Sequence, residues 1–357
     1  MNIISLIMLI FAVLGAVDRI IGNKFGLGKE FEKGFEMLGV LALSMLGIMT
    51  LAPFLADVMK PALDLISSHT PFDPSVFTSA IFTNDSGGAP LADRVAVDKE
   101  LGAFNGLIVG AMMGCTVSFT VPFALSATKK EYHGKILLGL LCGITTVPVG
   151  CFVSGLMAGI PLLKLLINLL PLLVFSALIA LGLWKIPGIC TELFRWIGLL
   201  LRGLITIGLI IGVVHLITGY TPIKNIVPLT ENVGVILSCS AMMCGAFPMI
   251  AVLSRLLKKP LEKAGERLKI KKESVMGILT TLATSVPTYG KVSEMDDLGV
   301  ILNSAFSVSA AFLLTDHLAF TMAYNDRYVW PLLAGKLVSG LLAFAVAWLI
   351  GKRETKK

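Results

Sequence analysis

Charged residues are scarce in this chain of 357 residues: 15% are Asp, Glu, Lys or Arg, whereas 55% are hydrophobic. Soluble globular proteins carry about 25% charged residues, and the mean hydropathy here is +0.86. The shortage of charge excludes a soluble enzyme. The composition predicts an all-α integral membrane protein with several transmembrane helices.

Motifs that mark catalytic or metal centres are also missing. The four histidines stand far apart, and neither HExxH nor GxSxG occurs. The six cysteines lie mostly within apolar runs and form no CxxC pair, which is typical of small buried apolar side chains. We therefore expect no catalytic residue, no metal ion and no cofactor. An intramembrane enzyme built on an Asp–His pair remains a weaker alternative.

A basic patch on a soluble domain, which nucleic-acid binding would need, is absent despite the net charge of +7. The chain also lacks Lys and Arg ahead of its first apolar stretch, 3–17. A cleaved signal peptide has a basic segment at that place. We predict no nucleic-acid partner and an uncleaved first helix whose N-terminus lies outside.

Nine apolar stretches are each near the roughly 20 residues that a helix needs to cross a bilayer. They cover 3–17, 36–57, 101–127, 134–159, 161–184, 195–218, 231–256, 298–324 and 329–351. Two shorter, interrupted stretches remain, which we call hairpin 1 (72–92) and hairpin 2 (273–292).

The positive-inside rule decides whether the two hairpins cross or re-enter. If both re-enter, most Lys and Arg residues fall on one side, including the basic segment 255–272 and the tail 352–357. If both cross, the basic segment and the group around Lys129 move outside. We therefore predict two re-entrant hairpins in an inner-membrane protein with a cytoplasmic C-terminus. Segment 255–272 is predicted to form a short cytoplasmic amphipathic helix.

The two halves of the chain share an order of features. A Gly-Val pair precedes a proline at the same spacing in both, at 39–53 and 234–248. A hairpin with a Gly or Pro break follows, and then a long helix with an early Asn, which is Asn105 or Asn303. Secondary transporters with inverted repeats and broken helices hold their substrate near the membrane midplane. Chance similarity between packed helices is the alternative.

This pattern predicts a division of the chain into four parts. The first repeat, 1–160, has four spans and hairpin 1, and a linking transmembrane helix follows at 161–184. The second, inverted repeat, 185–351, has four spans and hairpin 2. A cytoplasmic basic tail, 352–357, ends the chain.

Hairpin 1 breaks at the sequence Asn-Asp-Ser-Gly-Gly, residues 84–88. Adjacent glycines and the following Pro90 cannot continue an unstrained helix. In a membrane, a polar turn of this kind survives only where it is buried in protein or lines a watery cavity. Its carboxylate, Asp85, is therefore a candidate functional group. The alternative is that Asp85 only caps a helix that starts near Ala89.

Three further ionisable residues fall inside predicted spans: Asp316, His317 and Lys336. A charge at the bilayer centre costs at least about 2.5 to 3.5 kcal/mol, so each needs a partner, water or a ligand. Asp316 is either a second functional carboxylate or one half of an ion pair with Lys336 or His317. His317 is either a proton carrier or a simple hydrogen-bond donor.

Several short motifs carry a resemblance through their order and spacing. They are Ala16-Val17-Asp18-Arg19-Ile20, Leu51-Ala52-Pro53, Asp85-Ser86-Gly87-Gly88, Gly110-Ala111-Met112-Met113-Gly114, Gly245-Ala246-Phe247-Pro248-Met249, and Ser307-Val308-Ser309-Ala310-Ala311-Phe312 before Asp316-His317-Leu318. In this order the chain resembles the ethanolamine-utilisation transporter family (EutH) along almost its whole length. The resemblance implies an inner-membrane permease that brings ethanolamine to the ethanolamine-utilisation pathway.

Ethanolamine at neutral pH is a small ammonium ion with one hydroxyl group. Its site needs a carboxylate or carbonyl groups for the cation and a neutral donor and acceptor for the hydroxyl. Phe82 or Tyr289 would add a cation–π wall. The predicted substrate site consists of Asn84, Asp85, Ser86, Gly87, Gly88, Ser285, Pro287, Thr288, Tyr289, Asp316 and His317, and Asn105 and Asn303 support it.

Two alternatives to a permease for a small cationic amine stay open. A selective channel would use the same polar tips to line a pore. An ion-coupled transporter of an unrelated metabolite would share the architecture. Coupling to H⁺ or Na⁺ and assembly into a homodimer are hypotheses that the sequence leaves open.

Overall fold

The computed structural model describes residues 3–354, and all regular structure in that range is helical. The helices of the first half are α1 (Ile3–Ile20), α2 (Leu27–His69), α3 (Ser75–Ser79), α4 (Ala89–Val95), α5 (Lys99–Phe104), α6 (Val121–Ser126), α7 (Lys130–Ile144) and α8 (Val147–Met157). Three π-helical segments lie among them: Asn84–Gly88, Asn105–Gly114 and Thr116–Thr120. The first of these is the break in hairpin 1, between α3 and α4.

The second half has eight α-helices as well. They are α9 (Leu162–Lys185), α10 (Pro187–Thr218), α11 (Leu229–Leu268), α12 (Lys272–Thr281), α13 (Val286–Gly290), α14 (Asp297–Ala310), α15 (Asp316–Tyr324) and α16 (Val329–Glu354). Short 3-10 turns at Val292–Glu294 and Asp326–Tyr328 precede α14 and α16. Hairpin 2 is formed by α12, α13 and the turn between them.

Eight helical segments in the described range are long and apolar enough to cross a membrane. They are Ile3–Ile20, Leu27–His69, Lys99–Ser126, Lys130–Met157, Leu162–Lys185, Pro187–Thr218, Leu229–Leu268 and Asp326–Glu354. Large apolar side chains on α9 and α10 point outward, among them Leu163 and Ile217, which are 72% and 76% exposed. Such extended apolar surface fits contact with lipid. The chain is therefore a multi-pass membrane protein, as predicted.

The eighth predicted span, 298–324, is not one continuous helix, and α14 and α15 replace it. Between them Phe312 adopts a left-handed φ of 59°. Hairpin 2 satisfies the freed backbone groups: the Phe312 N–H donates to the Thr281 carbonyl at 3.3 Å, and the Leu314 N–H donates to the Leu282 carbonyl at 2.9 Å. The prediction of a continuous helix is wrong here because these long-range hydrogen bonds replace helical ones.

The basic segment 255–272 does not form a separate amphipathic helix, contrary to prediction. α11 continues through Pro260 to Leu268, and Lys269 follows with a left-handed φ of 57°. Apart from Pro260, Gly265 and Ile270, this segment consists of Leu, Lys, Glu, Ala and Arg, all of which favour helix. One helix therefore includes both the predicted span and the basic segment.

α2 and α11 form the centre of the bundle and pack along much of their lengths. α1 packs most extensively on α11, and α10 packs most extensively on α2. Glycines permit these close crossings: a Cβ atom at Gly47 would collide with the Ile205 carbonyl, and one at Gly245 would collide with the Met8 carbonyl. The first helix of each predicted repeat thus packs on the other half of the chain.

The repeat boundaries 1–160, 161–184 and 185–351 stay predictions, as do re-entry of the hairpins and the orientation of the termini. Of the predicted tail 352–357, the first three residues continue α16. The remaining residues, 355–357, lie outside the part of the chain that the structure describes.

Candidate functional site

A cavity of about 280 Å³ lies where the breaks of hairpin 1, hairpin 2 and the α14–α15 segment meet. We call it the site cavity. Its walls combine two carboxylates, one imidazole, four hydroxyl groups and two aromatic rings. It is lined by Met37, Val40, Ser44, Thr83, Asp85, Ser86, Cys115, Phe119, Thr284, Val286, Phe312, Asp316 and His317.

The turn of hairpin 1 presents Asp85 to this cavity. Gly87 has a left-handed φ of 87°, and a Cβ atom there would collide with the Ile48 side chain of α2. Only glycine combines this conformation with such a close approach. Asp85 is partly exposed, and its Oδ1 accepts a hydrogen bond from Ser86 Oγ at 3.2 Å. The turn therefore holds the carboxylate at the cavity wall.

The alternative that Asp85 caps the helix near Ala89 is wrong. α4 begins at Ala89 without a side-chain capping hydrogen bond. A capping carboxylate would accept from backbone N–H groups of the first helical turn. In this structure the carboxylate instead lines the site cavity.

Hairpin 1 lies close against the π-helical segment Asn105–Gly114. A Cβ atom at Gly114 would collide with the Phe82 carbonyl, and one at Gly110 would come within 3.0 Å of the Asn84 backbone nitrogen. Small residues allow this approach of two backbones. The Asn84 side chain is completely buried, and its amide atoms have no hydrogen-bond partner among the described residues. Asn84 does not line the site cavity.

The site cavity is also lined by Asp316 and His317 at the start of α15. Behind them lies Lys336 of α16, which is 1% exposed. Its Nζ donates to the Ala111 carbonyl at 2.8 Å and lies 2.9 Å from His317 Nδ1. An ammonium group has donors only, so Nδ1 is the acceptor and the neutral imidazole carries its proton on Nε2. The predicted alternative of a direct Asp316–Lys336 ion pair is wrong, because Lys336 is bonded to these two other groups.

Hairpin 2 contributes Thr284 and Val286 to the cavity rather than the residues that the sequence predicted. Thr288 Oγ1 lies within 3.0 Å of hydroxyls at Thr280 and Thr281 and donates to the Gly277 carbonyl at 3.0 Å. Its hydroxyl therefore stabilises the hairpin.

The other predicted residues of hairpin 2 also lie away from the cavity lining. The Tyr289 hydroxyl lies 2.8 Å from Ser307 Oγ within the core. Ser285 is buried and its Oγ has no partner among the described residues, and Pro287 is exposed. Of the eleven predicted site residues, Asp85, Ser86, Asp316 and His317 line the site cavity. The binding role of every one of them stays a prediction.

Aromatic rings that the sequence did not single out close one side of the cavity. Phe119 and Phe312 pack edge to face with ring centroids 5.5 Å apart, and Phe312 lies 5.3 Å from the His317 ring. They occupy the place that Phe82 or Tyr289 was expected to take. Their separation by nearly two hundred residues leaves no local pattern that would have revealed the pair.

Asn105 and Asn303 anchor the two hairpins in corresponding ways. Asn105 Nδ2 donates to Ser75 Oγ at 2.8 Å, and Asn303 Nδ2 donates to the Ser274 carbonyl at 2.8 Å. Ser75 and Ser274 each lie at the start of their hairpin. Asn105 also exchanges two hydrogen bonds with Asn168 of α9. Neither asparagine lines the site cavity, so the geometry agrees with a supporting role.

Two further cavities adjoin the site cavity. A cavity of about 530 Å³ shares Ser44, Ser86 and Phe119 with it. A cleft of about 240 Å³ shares Ser118 and Arg202 with the second cavity and includes Arg195. We call this row of three neighbouring cavities the path to the surface.

A separate polar cavity of about 640 Å³, which we call the opposite cavity, includes Asp57, Asp93, Lys99 and Glu231. It shares no lining residue with the site cavity or with the path to the surface. Hairpin 1 contributes Pro90 to the opposite cavity and Asp85 to the site cavity. The hairpin therefore lies between the two. Among residues 3–354, no group of three or more His, Cys, Asp or Glu side chains is suited to hold a metal ion.

Comparison with known proteins identifies relatives along the whole chain. The family model for "Ethanolamine utilisation protein, EutH" matches residues 1–350. A protein of Listeria monocytogenes named "Probable ethanolamine permease EutH" is 41% identical over 356 residues, covering 100% of this chain and 95% of the relative. A protein of the same name from Salmonella typhimurium is 36% identical over 391 aligned residues, covering 99% and 96%. The "Uncharacterized protein YxeR" of Bacillus subtilis is 35% identical over 352 residues, covering 98% and 95%. No solved structure matches the chain.

Proposed function

This chain belongs to the EutH family of ethanolamine utilisation proteins, and we propose that it is a membrane permease that carries ethanolamine into the cell for the ethanolamine-utilisation pathway. Relatives named as probable ethanolamine permeases support this proposal along nearly their full length. The substrate is a small protonated amino alcohol, held between hairpin 1 and hairpin 2 near the membrane midplane.

The observation that carries the proposal is the chemistry of the site cavity. Asp85 and Asp316 both line it, and both residues are partly exposed. A carboxylate inside a membrane protein needs a compensating charge, and an ammonium ion supplies one. Ser86, Thr284 and His317 offer neutral groups for the substrate hydroxyl. Phe119 and Phe312 exclude water and present aromatic faces for a cation–π contact.

The size of the site cavity fits a small substrate. Water occupies about 30 Å³ per molecule in the liquid, so about 280 Å³ accommodates the four heavy atoms of ethanolamine together with several waters. A bulkier amine with large substituents would have to displace Phe119 or Phe312. We therefore expect selectivity for short amino alcohols.

The connected cavities support alternating access. The path from the site cavity ends near Arg195 and Arg202, on the face that the positive-inside rule predicts to be cytoplasmic. The opposite cavity lies on the other side of hairpin 1 and shares no lining residue with this path. In the proposed cycle this arrangement is an inward-open state, and hairpin 1 separates the site cavity from the outer route. This separation favours a transporter over a channel, because a channel needs one continuous path.

Uptake of labelled ethanolamine into proteoliposomes that contain the purified protein tests the proposal. We expect saturable uptake that unlabelled ethanolamine suppresses, whereas protein-free liposomes take up only a non-saturable background. Imposed pH and Na⁺ gradients then determine whether either ion is coupled to transport. Correctly folded protein without saturable uptake would rule out ethanolamine as the substrate.

A further inference from the structure

We propose that Lys336 is a specificity-determining residue that makes the site accept singly charged amino alcohols and reject doubly charged diamines. The inference rests on the proposed function, because it assumes that the site cavity holds an organic ammonium ion. It concerns a residue that lines no part of the cavity and acts on the ligand through charge and through His317.

Lys336 is a fixed cation. Its side chain is 1% exposed, and its Nζ is held by the Ala111 carbonyl and by His317 Nδ1. The neighbouring Gly335 lets α16 pack closely on α8, because a Cβ atom there would collide with Ser154. No carboxylate of the described residues forms a salt bridge with Lys336, so its positive charge is available to offset charge at the cavity.

Together, the charges of Asp85, Asp316 and Lys336 give the site a net charge of −1. Asp85 and Asp316 line the cavity, and a bound cation favours the ionised form of both. Lys336 behind His317 cancels one of these two charges. A ligand with a single positive charge neutralises the site, whereas a dication leaves an uncompensated positive charge in a buried, low-dielectric environment. Such a charge is strongly unfavourable.

The contact with His317 adds a second element of discrimination. Because Lys336 donates to Nδ1, the imidazole proton lies on Nε2 and His317 is a donor toward the cavity. A hydroxyl group accepts a hydrogen bond from such a donor, but an ammonium group has no acceptor. The second ammonium of a diamine therefore meets a donor where the amino alcohol presents its hydroxyl.

Competition between two ligands of equal length tests the inference. The compounds are 3-amino-1-propanol, with one charge, and 1,3-diaminopropane, with two charges, since alkyl ammonium groups titrate near the value of about 10.4 for Lys. Each competes with labelled ethanolamine in the proteoliposome assay. In the wild type we expect the amino alcohol to compete at least tenfold better than the diamine.

The decisive variant is Lys336→Met, which keeps a long unbranched side chain and removes the charge. We expect the preference ratio to move at least tenfold toward the diamine, whatever happens to the total rate. Lys336→Arg, the matched control, keeps the charge and should keep the wild-type preference. The double variant Lys336→Met with Asp316→Asn restores one net negative charge, and its preference should return toward the amino alcohol.

The outcomes separate this inference from the proposed function. Wild-type protein that shows no ethanolamine uptake refutes the proposed function. Wild-type uptake with an unchanged preference ratio in Lys336→Met shows that Lys336 only packs, and the inference is overturned. If Lys336→Met does not fold, as judged by size-exclusion chromatography, the single variant Asp316→Asn replaces it. That variant makes the site neutral and should weaken diamine competition more than amino-alcohol competition; equal weakening also overturns the inference.

Discussion

Hairpin 1 and hairpin 2 meet at the same cavity but are built in different ways. Hairpin 1 turns through a left-handed glycine, buries an amide that has no hydrogen-bond partner in the range 3–354, and exposes a carboxylate to the cavity. Hairpin 2 has no ionisable side chain in the cavity lining, and its threonine hydroxyls bond to one another and to its own backbone. One hairpin presents charge, whereas the threonine hydroxyls of the other bond within the hairpin.

The difference indicates that hairpin 1 and hairpin 2 have different roles at the site cavity. The carbonyl groups at the end of α12 accept hydrogen bonds from Phe312 and Leu314, and the Ala283 carbonyl accepts one from Thr315 Oγ1 at 2.5 Å. These bonds hold the break that places Asp316 at the start of α15. Hairpin 2 therefore positions a carboxylate that belongs to another element. Hairpin 1 carries its own carboxylate at the cavity wall, and under the proposed function this group contacts the substrate directly.

The largest effect, a higher Km for ethanolamine, should follow from removing the charge of Asp85 in hairpin 1. Asp85→Asn keeps the size of the side chain but removes the carboxylate, and a hydrogen bond to a charged group contributes about 1.5 to 3 kcal/mol. We expect a Km for ethanolamine that is higher by about 10- to 100-fold in proteoliposome uptake. Thr284→Val in hairpin 2, the matched change, should alter Km by less than about fivefold, since a neutral hydrogen bond contributes about 1 kcal/mol. Equal Km values for the two variants would contradict the different roles of the two hairpins.

The next largest effect should be a loss of thermal stability when Gly87 in hairpin 1 is substituted. Gly87→Ala places a methyl group against Ile48 at a left-handed φ of 87°, which costs on the order of 1 to 3 kcal/mol. Gly290 in hairpin 2 provides the control, because no atom lies within 4 Å of a Cβ built there. Thermal unfolding in detergent should show a clear loss for Gly87→Ala and little change for Gly290→Ala. Similar melting temperatures would mean that hairpin 1 has room to relax.

The sequence alone predicted the charged part of the site and the position of the first break. Asp85, Asp316 and His317 were identified because ionisable groups are costly in a membrane, and residues 84–88 were recognised by their glycines. These signals are local. Each can be recognised within a few residues of the chain.

The features that were missed depend on long-range contacts. Residues 311–315 contain neither glycine nor proline, and their break is stabilised by carbonyl groups of hairpin 2. Pro287 indicated the turn of hairpin 2, but α12 already ends at Thr281, so Thr284 and Val286 reach the cavity instead. Hydrophobic periodicity does not determine helix boundaries to within a turn, and these boundaries decide which side chains line the site.

A smaller difference in stability should appear between variants that remove a buried polar group from each hairpin. Thr288→Val removes a hydroxyl that has three partners in hairpin 2. We expect a loss of about 1 kcal/mol, because the Gly277 carbonyl still accepts a hydrogen bond from Thr280 Oγ1. Asn84→Ala removes an amide that has no partner among the described residues, so we expect a smaller loss in thermal unfolding. If Asn84→Ala lowers uptake while stability is kept, its amide acts in another state of the transport cycle.

The smallest effect on stability should come from the acidic residues just after each hairpin, which we call the bases of the hairpins. Between hairpin 1 and α5, Asp98 accepts hydrogen bonds from the N–H groups of Glu100 and Leu101 and lies 2.6 Å from Lys164 Nζ. The hydrogen bond from Lys164 lowers the pKa of Asp98 below its usual value. Both partners are partly exposed, so water screens the pair and its contribution is at most about 1 kcal/mol. At the base of hairpin 2, Asp296 is held by Ser274 Oγ and by the Lys271 N–H.

A lowered carboxyl pKa fixes the direction of the pH dependence. The folded protein binds the proton of Asp98 less readily than the unfolded chain, whose Asp pKa is about 3.9. The stabilisation is therefore present above about pH 4 and is lost as the pH falls through the lower folded value. Asp98→Asn keeps an oxygen that can cap α5 but removes the charge. Its melting temperature should lie slightly below that of the wild type at pH 7, and the difference should shrink toward pH 3; a constant difference would assign the effect to capping alone.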